Sequence, residues 1–580
     1  MTTHSIAATG PATETRTDAD GSSAPPPSAQ QASNAGAKRR RVQERDGLGA
    51  LRTGVWVVLA FLVGLPLVAL ALQGIQPESR QVFGDRAVAE AALNSVASAT
   101  GSALLATLAG AFLAVVLERS NIPGRGALRW LVLLPFLIPP FIGAMAWMAL
   151  LGANGPVNKM LASLGVDAQL SIFGGWGVVF LLAVHSYPMA YLVIAAAMRR
   201  IPGNLEEAAR ISGAGTARVL GTVTLPLLGP GLLAAFVLTL VANLSDFGIP
   251  ALIGLPERYT TLTTLVYRYL ASSTTSNPLP AVSAIGLLLL VLAVLAVLAQ
   301  RKLPSGSQLG SGGTGMKLEL GAARIPVLVL LWLWVGIICL VPLLALASQA
   351  LLPAPGVPLT LENLTMENII RAATSPNAVS GMGNSLLLAG GAAVCCTVLG
   401  LGIALLLTRG KHRSNGALDV VATLPQALPG LVIAVGWLLI APMLGIFNTS
   451  WVILGAYVMA FMALVVQSVR APLASVSSTL EEAARTAGAS PLRALLDVSA
   501  RLAVPAALTG GVVVLLTAVR ELTISILLVA PGTQTLGVSI FNLQQSGDYG
   551  GASALALLVA LAGILGLSAT AALANRRVDT

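Results

Sequence analysis

Two short acidic segments and two isolated carboxylates carry most of the chemistry that this 580-residue chain offers. The acidic segments are near copies, Leu205-Glu-Glu-Ala-Ala-Arg-Ile-Ser-Gly-Ala214 and Leu480-Glu-Glu-Ala-Ala-Arg-Thr-Ala-Gly-Ala489. Their chemistry is recognition rather than catalysis. Asn204 and Thr479 each stand three positions before a glutamate, the capping-box spacing that starts a helix. Alanines keep that helix slim, and Gly213 and Gly488 let the chain turn at its end. Glu206, Glu207, Ala208, Ala209 and Gly213 in the first copy, with Glu481, Glu482, Ala483, Ala484 and Gly488 in the second, read as two equivalent docking points for a partner. The isolated carboxylates are Asp246 and Glu521, which occupy matching places near the ends of two apolar runs. An ionisable residue at membrane depth is costly and usually faces a cavity or a partner. Two carboxylates meeting across a pseudo-twofold axis could attract a hard, oxygen-preferring cation; equally, each could cap a broken helix. Arg520 does not face its neighbour Glu521 on a helix and could meet a residue on another span.

Catalytic constellations are missing. The three histidines, His4, His185 and His412, fall in a polar leader, an apolar run and a loop. Cys339, Cys395 and Cys396 all lie in apolar runs, without zinc or disulfide spacing. No catalytic residue and no metal ligand is assigned, and His185 reads as a hydrogen-bonded core histidine.

The elements that must position the acidic groups are membrane spans. The chain is 55% hydrophobic and 10% charged, too little charge to cover a soluble surface of this size. A span needs about twenty apolar residues. Twelve such runs start near Gly54, Asn94, Trp130, Gly175, Val223 and Ala281, then Ile325, Gly381, Ala417, Trp451, Val504 and Ala552. The net charge of +10 comes from basic residues clustered in short loops, where they set orientation rather than bind nucleic acid. Of the 34 Lys and Arg, 27 fall on the side of the amino terminus, six on the other side, and Arg520 within a span. This predicts cytoplasmic termini and cytoplasmic acidic segments. Residues 1–50, with Ala24-Pro-Pro-Pro27 and Lys38-Arg-Arg-Arg41, cannot bury a core and read as a disordered cytoplasmic tail. Residues 51–300 and 325–577 read as two membrane domains, joined by a flexible Gly/Ser-rich cytoplasmic linker over 301–324.

The domains repeat each other. Asn94-Ser95 matches Asn384-Ser385 and Leu117-Glu-Arg119 matches Leu407-Thr-Arg409, both 290 positions apart. Between Leu205 and Pro256 the separation is 275, pairing Asp246 with Glu521. Six spans per half make the repeat parallel. Beyond the paired prolines Pro256 and Pro531, the segments from Thr261 to Tyr267 and from Thr535 to Phe541 predict short amphipathic helices at the periplasmic mouth. There Tyr267, beside Tyr269, could line or gate the path.

The acidic segments also carry a resemblance. Glu207-Ala-Ala209, Gly213 and Val223-Thr-Leu-Pro226 resemble the loop of binding-protein-dependent ABC importer permeases. The second half supplies Glu482-Ala-Ala484, Gly488 and Val498, but Ala500-Arg501 stands where Leu-Pro would be, so its exit into the next span departs from the pattern. The resemblance covers roughly residues 50 to 575. It implies an all-α integral membrane protein of about twelve spans in two parallel six-helix repeats, the type I importer permease fold, in a bacterial inner membrane. It also implies coupling helices seated on ABC ATPase subunits, two copies in all, and a periplasmic or lipid-anchored substrate-binding protein as a further partner beside membrane lipid. No cofactor is expected on this chain; with no Gly-x-x-x-x-Gly-Lys phosphate loop in it, ATP would be used by the partner subunits. Fused permeases of this length resemble ferric-iron importers most, with thiamine and 2-aminoethylphosphonate permeases as near relatives, and Ser245-Asp-Phe-Gly-Ile-Pro250 and Arg520-Glu-Leu522 resemble segments of the iron branch. A major-facilitator-like secondary transporter is the rival plan, since it too has two parallel six-span halves. Glu118-Arg-Ser-Asn-Ile-Pro-Gly-Arg125 sits at its signature loop, but that plan predicts no duplicated acidic helix.

Overall fold

The computed structural model describes residues 48–272, 277–301, 320–410 and 412–576, and among these the chain is helical, with no strand. The polar leader up to residue 47 and most of the Gly/Ser-rich linker lie outside the described residues. Among the described residues, nine helices are long and apolar enough to cross a membrane, or eleven if each of two sharply bent pairs is one span. Spans one to six are Gly49–Gly74, Arg86–Arg119, the pair Arg125–Leu137 and Pro140–Ser163, Gly175–Met198, Leu220–Ser245 and Leu279–Ala296. Spans seven to eleven are Gly321–Leu351, Pro376–Arg409, the pair Asn415–Ala427 and Gly430–Ile440, Ser450–Ser475 and Pro491–Val519. The helix Tyr549–Arg576 follows in the twelfth place. Large apolar side chains such as Leu72, Leu93, Leu387 and Val398 point outward, as a lipid-facing surface requires.

Spans three and nine are not the straight runs expected from Trp130 and Ala417. They bend by 99° and 106°. Both bends sit at prolines, Pro139-Pro140 and Pro429, and a residue before proline is pushed out of helical geometry. Ile138 and Leu428 duly take extended backbones, with ψ of 134° and 140°. Spans two and eight begin earlier than the apolar count suggests, at Arg86 and Pro376, because their first turns are polar but capped by Asp85 and Ser375.

Each half builds a bundle of three long spans: two, four and five, then eight, ten and eleven. Glycines let them approach closely. A Cβ on Gly110 of span two would lie 2.7 Å from the Tyr191 nitrogen, and one on its counterpart Gly400 would lie 2.7 Å from the Val465 Cβ. The halves exchange their first helices. The Leu65–Gly74 part of span one lies against Gly430–Ile440, and the Val341–Leu351 part of span seven against Pro140–Leu151.

Candidate functional site

The two acidic segments form helices Gly203–Ile211 and Thr479–Thr486, each between an even-numbered span and the next. Their starts differ from the expected capping box. The first helix begins at Gly203, behind Pro202, with Asn204 already inside it; the second begins at Thr479, behind Ser478. Neither start has a side-chain cap. The first glutamate of each pair is committed to an arginine instead. Arg119, the last residue of span two, pairs with Glu206 at 3.3 Å, and Arg409, the last of span eight, pairs with Glu481 at 3.1 Å. The Thr224 hydroxyl donates to Glu206 at 2.9 Å, and the Ser499 hydroxyl donates to Glu481. Each arginine also donates to backbone carbonyls at the end of the span before the surface helix: Arg119 to Met198 (3.1 Å), Arg409 to Leu473 and to Val476 just beyond it (3.0 and 2.7 Å). One ion pair therefore ties each surface helix to three spans. Glu206 is 1% exposed and so presents nothing to a partner. The outward faces belong to Leu205, Glu207, Ala208 and Ile211, and to Leu480, Glu482 and Ala483.

The helix ends are as the glycines suggest. Gly213 and Gly488 take φ of 86° and 94°, a left-handed conformation that glycine adopts at little cost. The amides of Gly213 and Ala214 return to the Arg210 and Ala209 carbonyls, and those of Gly488 and Ala489 to Arg485 and Ala484, the paired bonds of a Schellman end. The exits also match. A π turn, Leu220–Thr224 or Leu495–Ala500, leads into each following span. The departure at Ala500-Arg501 therefore leaves the backbone route unchanged.

At the opposite ends of the bundles, the predicted helices after Thr261 and Thr535 are Leu262–Ala271 and Leu536–Gln545. Each is held by the Asn-Ser pair that marked the repeat. Ser95 and Ser385 accept the Leu262 and Leu536 amides, both at 2.8 Å, and the Asn94 and Asn384 side chains donate to the Thr260 and Gln534 carbonyls. Tyr267 and its counterpart Phe541 meet across the halves with ring centroids 6.0 Å apart, and Phe247 contacts both, at 5.2 and 5.7 Å. Partial burial raises the Tyr267 phenol above its ordinary pKa, keeping it neutral.

Asp246 and Glu521 line one cavity of about 340 Å³, together with Ser245, Gln426, Thr517 and Thr523. Both carboxylates also cap the chain that follows: Asp246 accepts the Ile249 amide at 2.8 Å, and Glu521 accepts those of Ile524 and Ser525 at 2.7 and 3.1 Å. Capping and cavity lining are thus both present. Tyr267 is not among the residues lining this cavity. Arg520 does reach another span, donating to the Phe136 and Leu137 carbonyls at 3.2 and 3.0 Å. Among the described residues no group of three or more His, Cys, Asp or Glu side chains could hold a metal ion.

Sequence reasoning passed over the anchoring arginines and the Asn-Ser pairs as mere repeat markers. The available signal was a charged or amide side chain recurring at equivalent places in otherwise apolar spans, where burial demands a partner.

Two parallel bundles, each tied to its own surface helix and meeting at a cavity that holds a carboxylate from each half, have the build of a membrane permease. The chain belongs to the family of binding-protein-dependent transport system inner membrane components, which it matches over residues 106–306 and again over 396–579. It is 28% identical over 480 residues to a probable ABC transporter permease protein, y4fN, of Sinorhizobium fredii, covering 78% of this chain and 83% of that one. It is 25% identical over 521 residues to the ferric transport system permease protein FbpB of Actinobacillus pleuropneumoniae, covering 87% and 74%. A molybdenum transport system permease protein, ModB, of Mycobacterium bovis matches 198 residues at 32% identity, 33% of this chain and 74% of that one. The chain is accordingly a multi-pass permease of an ABC importer, and the secondary-transporter plan falls away. Its relatives are transport permeases, not enzymes.

Proposed function

We propose that this chain is the bacterial inner-membrane permease of an ATP-driven ferric-iron importer, with cytoplasmic termini and its two surface helices docked on two ATPase subunits. The observation that carries this reading is the duplicated anchor, Arg119–Glu206–Thr224 and Arg409–Glu481–Ser499. A helix tied to three spans by a shielded ion pair passes on displacement instead of absorbing it. When ATP binding draws the ATPases together, the helices follow, and the two bundles part on the far side. That motion separates Tyr267 from Phe541 and opens the route to Asp246 and Glu521 for solute delivered by a periplasmic or lipid-anchored binding protein. The chain itself holds no cofactor; ATP is spent by its partners, and lipid surrounds the spans.

Iron is supported by the named function of the FbpB relative and by two carboxylates on one cavity, which suit a hard cation and repel an anion. The test is ATPase stimulation in the reconstituted complex by its binding protein loaded with Fe³⁺, thiamine or 2-aminoethylphosphonate. Stimulation by Fe³⁺ alone is expected. Stimulation by either organic solute and not by Fe³⁺ would reassign the substrate, and transport by this chain without any ATPase would overturn the importer mechanism.

A further inference from the structure

The repeat places two cavities at equivalent positions, and they differ nearly tenfold in size. One of about 340 Å³ lies against the break of span nine; the other, about 40 Å³, lies against the break of span three. Their shared walls correspond through the repeat, Leu428 to Ile138 and Ile524 to Ile249 among them.

Span seven walls the small cavity through Ile338, Cys339, Pro342 and Leu343, and two substitutions between the halves accompany the difference. Arg520 stands where the first half has Ser245. Its guanidinium donates to the Phe136 and Leu137 carbonyls, which the break in span three deprives of helical partners, and its carbon lies 5.9 Å from the Phe136 ring centre. His185 stands where the second half has Ala460, and it lines the small cavity beside Pro135. On the other side, the Ser245 hydroxyl turns back to its own helix, donating to Val241 at 2.7 Å. Ala460 contributes one methyl to the wall of the large cavity. A guanidinium braces the break beside the first site and an imidazole lines it, whereas the second site has a hydroxymethyl and a methyl at the matching places.

We propose that the transport route holds its solute at one cavity, beside the break of span nine, and that Arg520 and His185 are plugs that close its twin. This rests on reading Asp246 and Glu521 as pathway residues. A carboxylate has about four lone-pair sites. Asp246 gives one to the Ile249 amide and keeps the rest for a solute. Glu521, in contrast, is held by the Ile524 and Ser525 amides and by the Tyr457 and Ser525 side chains, and shapes the wall. The cavity takes one small cationic or hydrogen-bond-donating solute at a time. The Ser245/Arg520 pair, rather than the two acids, makes the route one-sided.

The test needs no knowledge of the substrate. In the full complex, with Cys339, Cys395 and Cys396 replaced by serine, Leu428→Cys and Ile138→Cys are labelled with the small cation 2-aminoethyl methanethiosulfonate. Thiol reactivity follows access, so Cys at 428 should react about tenfold faster than Cys at 138. Adding Arg520→Ser should bring the two rates together. Equal rates at the start, or no change with Arg520→Ser, overturn the proposal. Ser245→Arg and, as an apolar filling that adds no charge, Ala460→Phe should each abolish transport with ATPase subunits still co-purifying. Normal transport in either correctly assembled variant also overturns it. The labelling result stands even where Fe³⁺ fails to stimulate the complex, which separates this proposal from the iron reading.

Discussion

The two surface helices share the run Leu-Glu-Glu-Ala-Ala-Arg, yet they sit at different depths. In the first anchor, the side chains of Arg119 and Glu206 are 7% and 2% exposed; in the second, Arg409 and Glu481 are 10% and 19% exposed. Gly203 is buried at the start of the first helix, behind Pro202, whereas no residue of the second helix is buried. The flanks account for the difference. Ile201 and Pro202 press the first helix toward the bundle, while Ser477 and Ser478 precede the second and stand exposed. Arg409 also divides its donors between two carbonyls, where Arg119 holds one. The motif specifies a helix, and its neighbours set how firmly that helix is held.

Neutralising the anchors should expose this difference most. Glu206→Gln leaves Arg119 buried without its counter-charge, a loss of about 3–5 kcal/mol for a shielded pair. Glu481→Gln should cost about 1–3 kcal/mol, because Arg409 keeps its carbonyl partners and the site is wetter. Transport in reconstituted vesicles and the ATPase retained on purification are the measurements. The expected outcome is near-complete loss in the first variant and partial loss in the second. Equal losses would show that depth of seating does not matter.

The helix ends should behave alike, and that sharpens the comparison from the other side. Gly213 and Gly488 have the same left-handed backbone, and a Cβ at either meets nothing within 4 Å. Alanine at either place is therefore opposed only by backbone strain, about 1–2 kcal/mol. Gly213→Ala and Gly488→Ala should lower the melting temperature of the complex by similar small amounts. A large inequality would move the asymmetry from the anchors to the turns.

What the sequence made legible follows from where its signals live. Apolar length, basic loops and the repeat all act within one segment or between aligned copies, and they gave the spans, the two halves and the surface helices. The Glu206 and Glu481 roles were not legible, because the capping-box spacing is a local pattern and Arg119 and Arg409 are 87 and 72 positions earlier in the chain. A buried arginine end outcompeted the cap. Asp246 and Glu521 were legible as paired charges, but their shared cavity depends on the bend of span nine at Pro429. The reach of Arg520 to Phe136 and Leu137 crosses the whole repeat, and no spacing rule connects them.

The smallest effect is expected where the sequences of the two loops differ most plainly. Leu225-Pro226 follows the first π turn, and Ala500-Arg501 occupies the second exit. Proline lacks an amide hydrogen and crowds the preceding turn, and a π turn is wide enough to take it. Spans one and seven show the same pairing, with π turns Ala60–Gly64 and Val335–Leu340 just ahead of Pro66 and Pro342. The second exit keeps its π turn without a proline, so the wide turn belongs to the packing of the loop and not to the ring. Arg501 is exposed and forfeits little when replaced. Ala500 is buried and is left unchanged; the single substitution Arg501→Pro should therefore change stability by no more than about 0.5 kcal/mol, with transport unaltered. A marked gain in ATPase retention would show instead that the proline tightens docking, and that the weaker second anchor is partly the work of its exit.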